Sequence, residues 1–467
     1  MNNSISPNQD QSWSKTKLKS IIIYGGPLID GRGSVFDDGA IYITSGKVAA
    51  VGDEEAVFNQ IASEDHPEAY DTLGRLIAPG LINLHQHSCY SLAVGLPEFD
   101  HCNQDWQTKK SYWLDFSQCL DAESIQLSLL LSIMHSIRAG VTTTFELHSA
   151  PPEIGSVLRN MASVIEQSGA RFVLSSEAAA TNGNTKFIQS IEQNHAFHQQ
   201  YRDNQLIRGM FGLQVNESLT EKLLGLIAEK IGSQPGIHIH LGGIATIEHC
   251  QKLGYPGPIS RLNEFDLIKK KALLVSCVSP SSTELELIIQ KGATLVNVPP
   301  ALVPNQPKLS SLPIPAKLRQ GIGTAGYHQD ILHALRQVYL IYRQQGFSHD
   351  TIMKYIETLL LTNRTFAGLC FAGKPGILER GANADIVVFD YIPITPINKT
   401  NYLDHLLFGM SATSVNMVMV NGKFIYNDRS FLTLDEELIL AECKKVSRRL
   451  WRAFGKTHPV AFEDDLD

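Results

Sequence analysis

The chain has 467 residues, 43% of them apolar and 19% charged, with a formal net charge of −7. That length exceeds one small domain and suits one large α/β unit with an accessory domain. The mild acidity argues against nucleic acid or an anionic membrane as a partner, and no apolar run approaches the roughly 18–20 residues of a membrane span.

Residues 1–17 are polar and lack the apolar stretch of a signal peptide, so they read as a disordered leader. The seven cysteines are scattered without a Cys-x-x-Cys pair, which points to a reducing, cytoplasmic setting rather than a disulfide framework or a cysteine zinc site. Short strand patterns follow at SIIIYG (20–25), GAIYITSG (39–46) and KVAAVG (47–52), with Ser45-Gly46 as a hairpin turn. A further strand, RLIAPG, leads into LINLHQH.

From residue 81 buried strand patterns alternate with long helical ones. The strands are LINLHQH (81–87), TTTFEL (142–147), RFVLSSE (171–177), GMFGLQ (209–214), GIHIHL (236–241), ALLVSC (272–277), ATLVNV (293–298) and GIGTAG (321–326). Eight βα repeats predict an α/β fold, a (β/α)8 TIM-like barrel, over residues 79–378. Its first connection, roughly 88–122, is long enough to shape a pocket; Tyr90, Trp106, Tyr112, Trp113 and Phe116 lie in it, as pocket or packing residues.

After a helix around 349–371, strands return at ADIVVFD (384–390), NMVMVNG (416–422) and KFIYND (423–428), with Asn421-Gly422 as a hairpin turn. Alone they are too few to bury a sheet. Paired with the first strands they predict a small β-sandwich made by both chain ends, residues 18–78 and 379–432. Residues 433–467 read as a terminal helix and tail.

Two patterns carry chemistry. His85-x-His87 ends the first barrel strand, and residues at i and i+2 of a strand point the same way, here into the barrel mouth where sites of this fold lie. Imidazole suits zinc or iron. His238-x-His240 repeats the geometry on the fifth strand; the bland alternative there is one core histidine and one solvated one.

The segment APGLINLHQH, the barrel and the split sandwich resemble the amidohydrolase superfamily, in its aminohydrolase/chlorohydrolase branch. The stretches DYIPITPINKTNYLDHLLFG (390–409) and VMVNGK (418–423) resemble the SsnA-type aminohydrolases. The resemblance implies one divalent metal, zinc or iron, held by the first-strand His-x-His, a fifth-strand His and an eighth-strand Asp that is also the base toward the attacking water. It further implies a Glu three residues after the fifth-strand His, a sixth-strand His, and hydrolytic loss of an amino or chloro group from a small heterocycle.

Carried over position by position, His85, His87 and His240 match the metal ligands. Gly243 stands at the Glu position, Ser276 (before Cys277) at the sixth-strand His, and Ala325 at the eighth-strand Asp. Gln214 stands where the fourth strand of relatives has His, and Val298-Pro299-Pro300-Ala301-Leu302 stands at a seventh-strand Asn-Pro-x-Ser-Asn. Losing such an acid/base group typically lowers the rate by about 10²–10⁴-fold. The expectation is therefore an impaired family member kept as a binding or regulatory subunit. The alternative is an active aminohydrolase using relocated groups.

Asp330 and His328, just past the eighth strand, are the catalytic candidates, with capping of the next helix as the structural alternative. His148, Gln214 and Glu177 are candidate pocket residues, with Glu146 able either to join them or to brace the loop. Asp385 matches a tail motif of the family and reads as structural. By resemblance the chain is a homodimer, or a hetero-oligomer with an active paralogue, binding a small-molecule ligand.

Overall fold

The computed structural model describes residues 19–96, 113, 115–149, 156–232, 236–276, 279–299, 315, 317–326, 328–410 and 415–456. The leader at 1–17, Trp106, Tyr112, Cys277, Pro300, Ala301, Leu302 and the last part of the tail lie outside the described residues.

The chain starts with β1 (Ile21–Ile29), β2 (Val35–Thr44) and β3 (Lys47–Asp53), an antiparallel meander. Ser45 and Gly46 both adopt positive φ (50° and 76°), as the turn joining right-twisted strands requires. A short strand not expected from the sequence, β4 (Glu68–Asp71), then pairs in parallel with β1, and β5 (Ile77–Pro79) follows. EAYD is short and largely exposed, so it carries no periodic signal.

The barrel strands are β6 (Leu81–Gln86), β7 (Val141–His148), β8 (Arg171–Ala179), β9 (Ile207–Gly209) with β10 (Phe211–Gln214), β11 (Ile237–His240), β12 (Ala272–Val275), β13 (Thr294–Asn297) and β14 (Arg319–Ile322). The segment read as one fourth strand is β9 and β10, broken only at Met210, so eight parallel strands stand around the axis in the expected order. All eight residues of β7 are buried, as expected for a parallel strand covered on both faces.

The eighth strand lies earlier than GIGTAG: Gly323 N–H still donates to Asn297 of β13, but Thr324 and Ala325 donate across the seam to the His85 carbonyl on the first strand. The seam itself is closed partly by side chains. Asn363, on the helix His349–Cys370, donates to the Ile82 and Ile322 carbonyls (2.7 and 2.9 Å) and accepts from Ile322 N–H (2.9 Å). These bonds stand in for ladder hydrogen bonds that β6 and β14 do not make with each other.

The chain returns through β15 (Ile386–Phe389), β16 (Val415–Val420), β17 (Lys423–Asn427) and β18 (Ser430–Phe431). β15 pairs with β5, so both chain ends build one nine-stranded sheet. Ile23, Ile41 and Ile43 from the first half and Ile386, Val388 and Met419 from the second share one apolar cluster, so the halves face each other as in the expected sandwich. Arg171, at the start of β8, pairs both guanidinium nitrogens with Asp385 and also bonds Asn421. Arg171 and Asp385 side chains are wholly buried, which makes them an ionic latch between barrel and sheet.

The helix Glu436–Gly455 packs its apolar stripe on the helix Ala122–Arg138. The five described cysteines are all unbridged. Among the described residues no helix is long and apolar enough to cross a membrane.

Candidate metal centre

At the carboxyl end of β6 the strand bulges, and the backbone of residue 325 locks the bulge in place. Ala325 N–H donates to the His85 carbonyl (3.1 Å) and His87 N–H donates to the Ala325 carbonyl (3.0 Å). The approach is close: a Cβ at Gly323 would sit 2.7 Å from the His85 Cβ. The bulge aims His85 and His87 toward His240, at the end of β11.

One ring nitrogen from each of these three histidines lies within 4.8 Å of the others, the only such metal-ligating group among the described residues. Ring centroids of His85 and His87 are 4.5 Å apart, and His240 lies 6.0 Å from the first and 5.9 Å from the second.

The surroundings hold the His85 and His87 rings neutral. Burial first, then the neighbouring imidazoles, drive the His85 pKa well below its ordinary value. Burial holds His87 at about 4, despite an opposing backbone hydrogen bond. Neutral imidazoles keep a lone pair at physiological pH, as ligation requires. His87 Nδ1 lies 2.6 Å from the Leu147 carbonyl, which can only accept, so the proton is on Nδ1 and the lone pair on Nε2. His85 Nε2 is buried with no hydrogen-bond partner among the described residues. An orphaned buried nitrogen facing two other imidazoles fits a divalent cation.

The other candidates take different places. His238 lies below His240 on β11, 1% exposed, with Nε2 2.9 Å from His85 Nδ1. His148 is 1% exposed at the mouth end of β7; neither ring nitrogen has a partner among the described residues, and burial with the neighbouring His87 holds its pKa at about 4. Gln214 ends β10 and Glu177 lies two residues before the end of the adjacent β8; both are half-buried, and Gln214 accepts from Asn216. Tyr90 lies against His87 (5.9 Å) and Trp113 (5.0 Å), an aromatic wall beside the cluster, whereas Phe116 packs away on Phe454.

Glu146 is not in the mouth. It accepts from Ser88 N–H and Oγ (both 2.8 Å) and from Gln86, whose amide also donates to Ser132 of the helix Ala122–Arg138, and so braces the loop after β6. Burial, partly offset by these hydrogen bonds, raises its pKa to about 7. Asp330 caps the helix Ile331–Gln344 by accepting from His333 N–H (3.0 Å), and His328 accepts from Asp330 N–H (3.2 Å). The capping alternative thus describes what Asp330 does here.

Of the three positions where the resemblance leads one to expect other residues, Ser276 and Ala325 touch the cluster. Gly243 is the N-cap of the helix Ile244–Lys252 and offers no side chain. Ser276 Oγ lies 3.1 Å from His240 Nε2, a contact that no pattern in the sequence predicts. Ser276 and Ala325 both adopt left-handed backbone, φ 56° and 52°. The Ala325 methyl joins the apolar cluster of Val296 and Val298. The pairing of His238 with His85 is likewise absent from the sequence expectation, although the i, i+2 rule that groups His238 with His240 already places both on one face.

The Amidohydrolase family profile matches residues 76–425. The chain is 22% identical over 454 residues to a 5-methylthioadenosine/S-adenosylhomocysteine deaminase of Pelotomaculum thermopropionicum, covering 93% of this chain and 99% of that one. It is 23% identical over 428 residues to a 5'-deoxyadenosine deaminase of Methanosarcina barkeri, covering 88% and 94%. A zinc-bound adenosine deaminase structure from Xanthomonas campestris superposes with a TM-score of 0.79 at 18% identity, covering 94% of this chain and 100% of that one. The zinc complex of atrazine chlorohydrolase from Arthrobacter aurescens gives 0.73 at 18% identity, covering 91% and 100%.

Proposed function

This chain belongs to the amidohydrolase family, and from that premise we propose that it is a metal-binding but catalytically impaired member, kept as a binding or regulatory subunit for a small heterocyclic ligand. The observation that carries the reading is position 325. Its backbone is bonded to both His85 and His87, yet its side chain is a methyl packed among valines. Among the described residues no carboxylate joins the three imidazoles.

His85, His87 and His240 would hold a single divalent ion, zinc or iron; zinc is the ion named with two similar structures. When bound, such an ion supplies a Lewis acid that makes water acidic enough to attack near neutral pH. The chain's own residues give that chemistry little support. Ala325 can take no proton through its side chain, Gly243 has no side chain to offer a substrate amine, and the Ser276 hydroxyl is turned to His240. Binding remains: the Tyr90–Trp113 wall offers a planar ring an aromatic face.

A second reading, an active aminohydrolase with relocated groups, is favoured by His148. A buried imidazole beside His87, with no partner among the described residues, is available for proton transfer to a ligand.

The test is metal content by plasma mass spectrometry on protein purified without chelator, beside the H85A/H87A variant, then a turnover screen on adenosine-type nucleosides and amino-triazines. The proposal expects about one metal ion per chain, lost in the variant, and no turnover. Metal-dependent turnover that disappears in H148A would replace it with the second reading.

A further inference from the structure

We propose that His238 is a positioning residue that fixes the tautomer of His85, and through it the ligand strength of the metal centre. The inference rests on the reading that His85, His87 and His240 hold a divalent cation.

Strand alternation sends His238 and His240 to the same face of β11, with His238 one layer deeper. His85 and His238 are 0% and 1% exposed, their rings 5.0 Å apart at 72° and the facing nitrogens 2.9 Å apart. A neutral imidazole has one N–H and one lone pair, so this contact holds one proton between His85 Nδ1 and His238 Nε2. If His238 were the donor, His85 would carry its own proton on Nε2. That N–H would be buried without an acceptor among the described residues, and the nitrogen could not ligate. If His85 Nδ1–H is the donor, its Nε2 presents a lone pair toward His87 and His240.

The neighbouring ligand shows the same device. His87 has Nδ1 against the Leu147 carbonyl, an obligate acceptor, and so has its lone pair on Nε2. Ligating histidines characteristically give their other N–H to a carboxylate or carbonyl. At His85 that acceptor is an imidazole. His238 is therefore no spare core histidine: an aliphatic residue of similar size would fill the space but leave Nδ1–H of His85 without its acceptor.

The experiment measures zinc affinity by competition with a chelating dye for wild type, H238L and H238Q, with thermal unfolding of the zinc-free proteins alongside. The Gln amide oxygen can accept the His85 proton, whereas Leu cannot. H238L should bind zinc about 10–100-fold more weakly, the range typical of lost outer-shell partners, and H238Q should recover most of that affinity. Wild-type affinity in H238L overturns the inference, and so does equal loss in both variants, which marks a packing role. Wild type that binds no zinc sinks the metal reading itself, and is told apart by that control. Should H238L fail to fold, long-range 15N spectra of histidine-labelled, zinc-free wild type report the tautomer directly. A proton on His85 Nδ1 supports the inference; one on Nε2 refutes it.

Discussion

Restoring a carboxylate at position 325 tests how the seam serves the site. Residue 325 holds φ 52°, a region that costs most L-residues about 1–2 kcal/mol but suits Asp better than Ala. Ala325→Asp should therefore fit the backbone, and φ should contribute little to its effect. Charge should contribute most of it. The site is 8% exposed and lined by valines, so in metal-free protein an unpaired carboxylate should cost about 3–5 kcal/mol. Unfolding of 467 residues releases about 2 cal/mol/K per residue, roughly 1 kcal/mol per degree, so Tm should fall by about 3–5 °C. With zinc the carboxylate gains its counter-charge, so the zinc-induced rise in Tm should exceed that of wild type by a similar amount. Differential scanning calorimetry of both proteins, with and without zinc, reads all four values. An A325D protein as stable as wild type without metal, and no more responsive to zinc, would refute the burial of side chain 325 within reach of the cluster. Turnover gained by this single change would place the whole impairment at position 325 and refute any share in it for Gly243 and Ser276.

Three further outcomes are expected. Asn363→Leu removes three buried hydrogen bonds across the β6–β14 seam and should destabilise by about 3–5 kcal/mol in denaturant titration, since Ile82 and Ile322 backbone groups lose their partners; a change under about 1 kcal/mol would show that the strands close without it. Asp385→Ala strands the fully buried Arg171 and should cost about 3–5 kcal/mol, whereas replacing both with apolar residues should recover much of the loss, a pattern a double-mutant cycle measures. Acid should destabilise the metal-free protein: His148 is held at about 4 when folded against 6.5 as its ordinary value, so its contribution is complete above pH 6.5 and is lost as pH falls from there toward 4. At pH 5 that one imidazole accounts for about 2 kcal/mol, so H148L should lose less stability than wild type between pH 7 and 5; equal losses would remove His148 as a source of the acid sensitivity.

The barrel is readable from the sequence because each of its strands is a short buried run followed by a helical pattern, and the hairpins because Ser45-Gly46 and Asn421-Gly422 suit positive φ. The seam is not readable. No local pattern says that Asn363, on a helix after the eighth strand, will bond Ile82, 281 positions earlier in the chain. β4 is invisible for a related reason: a four-residue exposed edge strand is defined by its partner rather than by its own periodicity.

The same division runs through the candidate site. His85, His87 and His240 converge as the i, i+2 rule predicts, with the backbone bonds of residue 325 holding the irregular end of β6 in that geometry. Parity alone does not assign roles even within a strand: Glu146 and His148 share a parity on β7, yet Glu146 is held by Ser88 and Gln86 while His148, the last residue of the strand, lies by His87, where the register with β6 has shifted. Residues on connections are harder still to place. Asp330 follows the strand closely in sequence but turns its carboxylate to a helix N-terminus, where unsatisfied N–H groups attract it. Position 325 combines the two cases: its backbone is fixed by the strand pair, while its left-handed φ turns the methyl to the valines inside the barrel. Glycine or aspartate would adopt that φ at lower backbone cost than alanine, so the backbone bonds to His85 and His87, together with the methyl packed on the valines, hold alanine in this geometry.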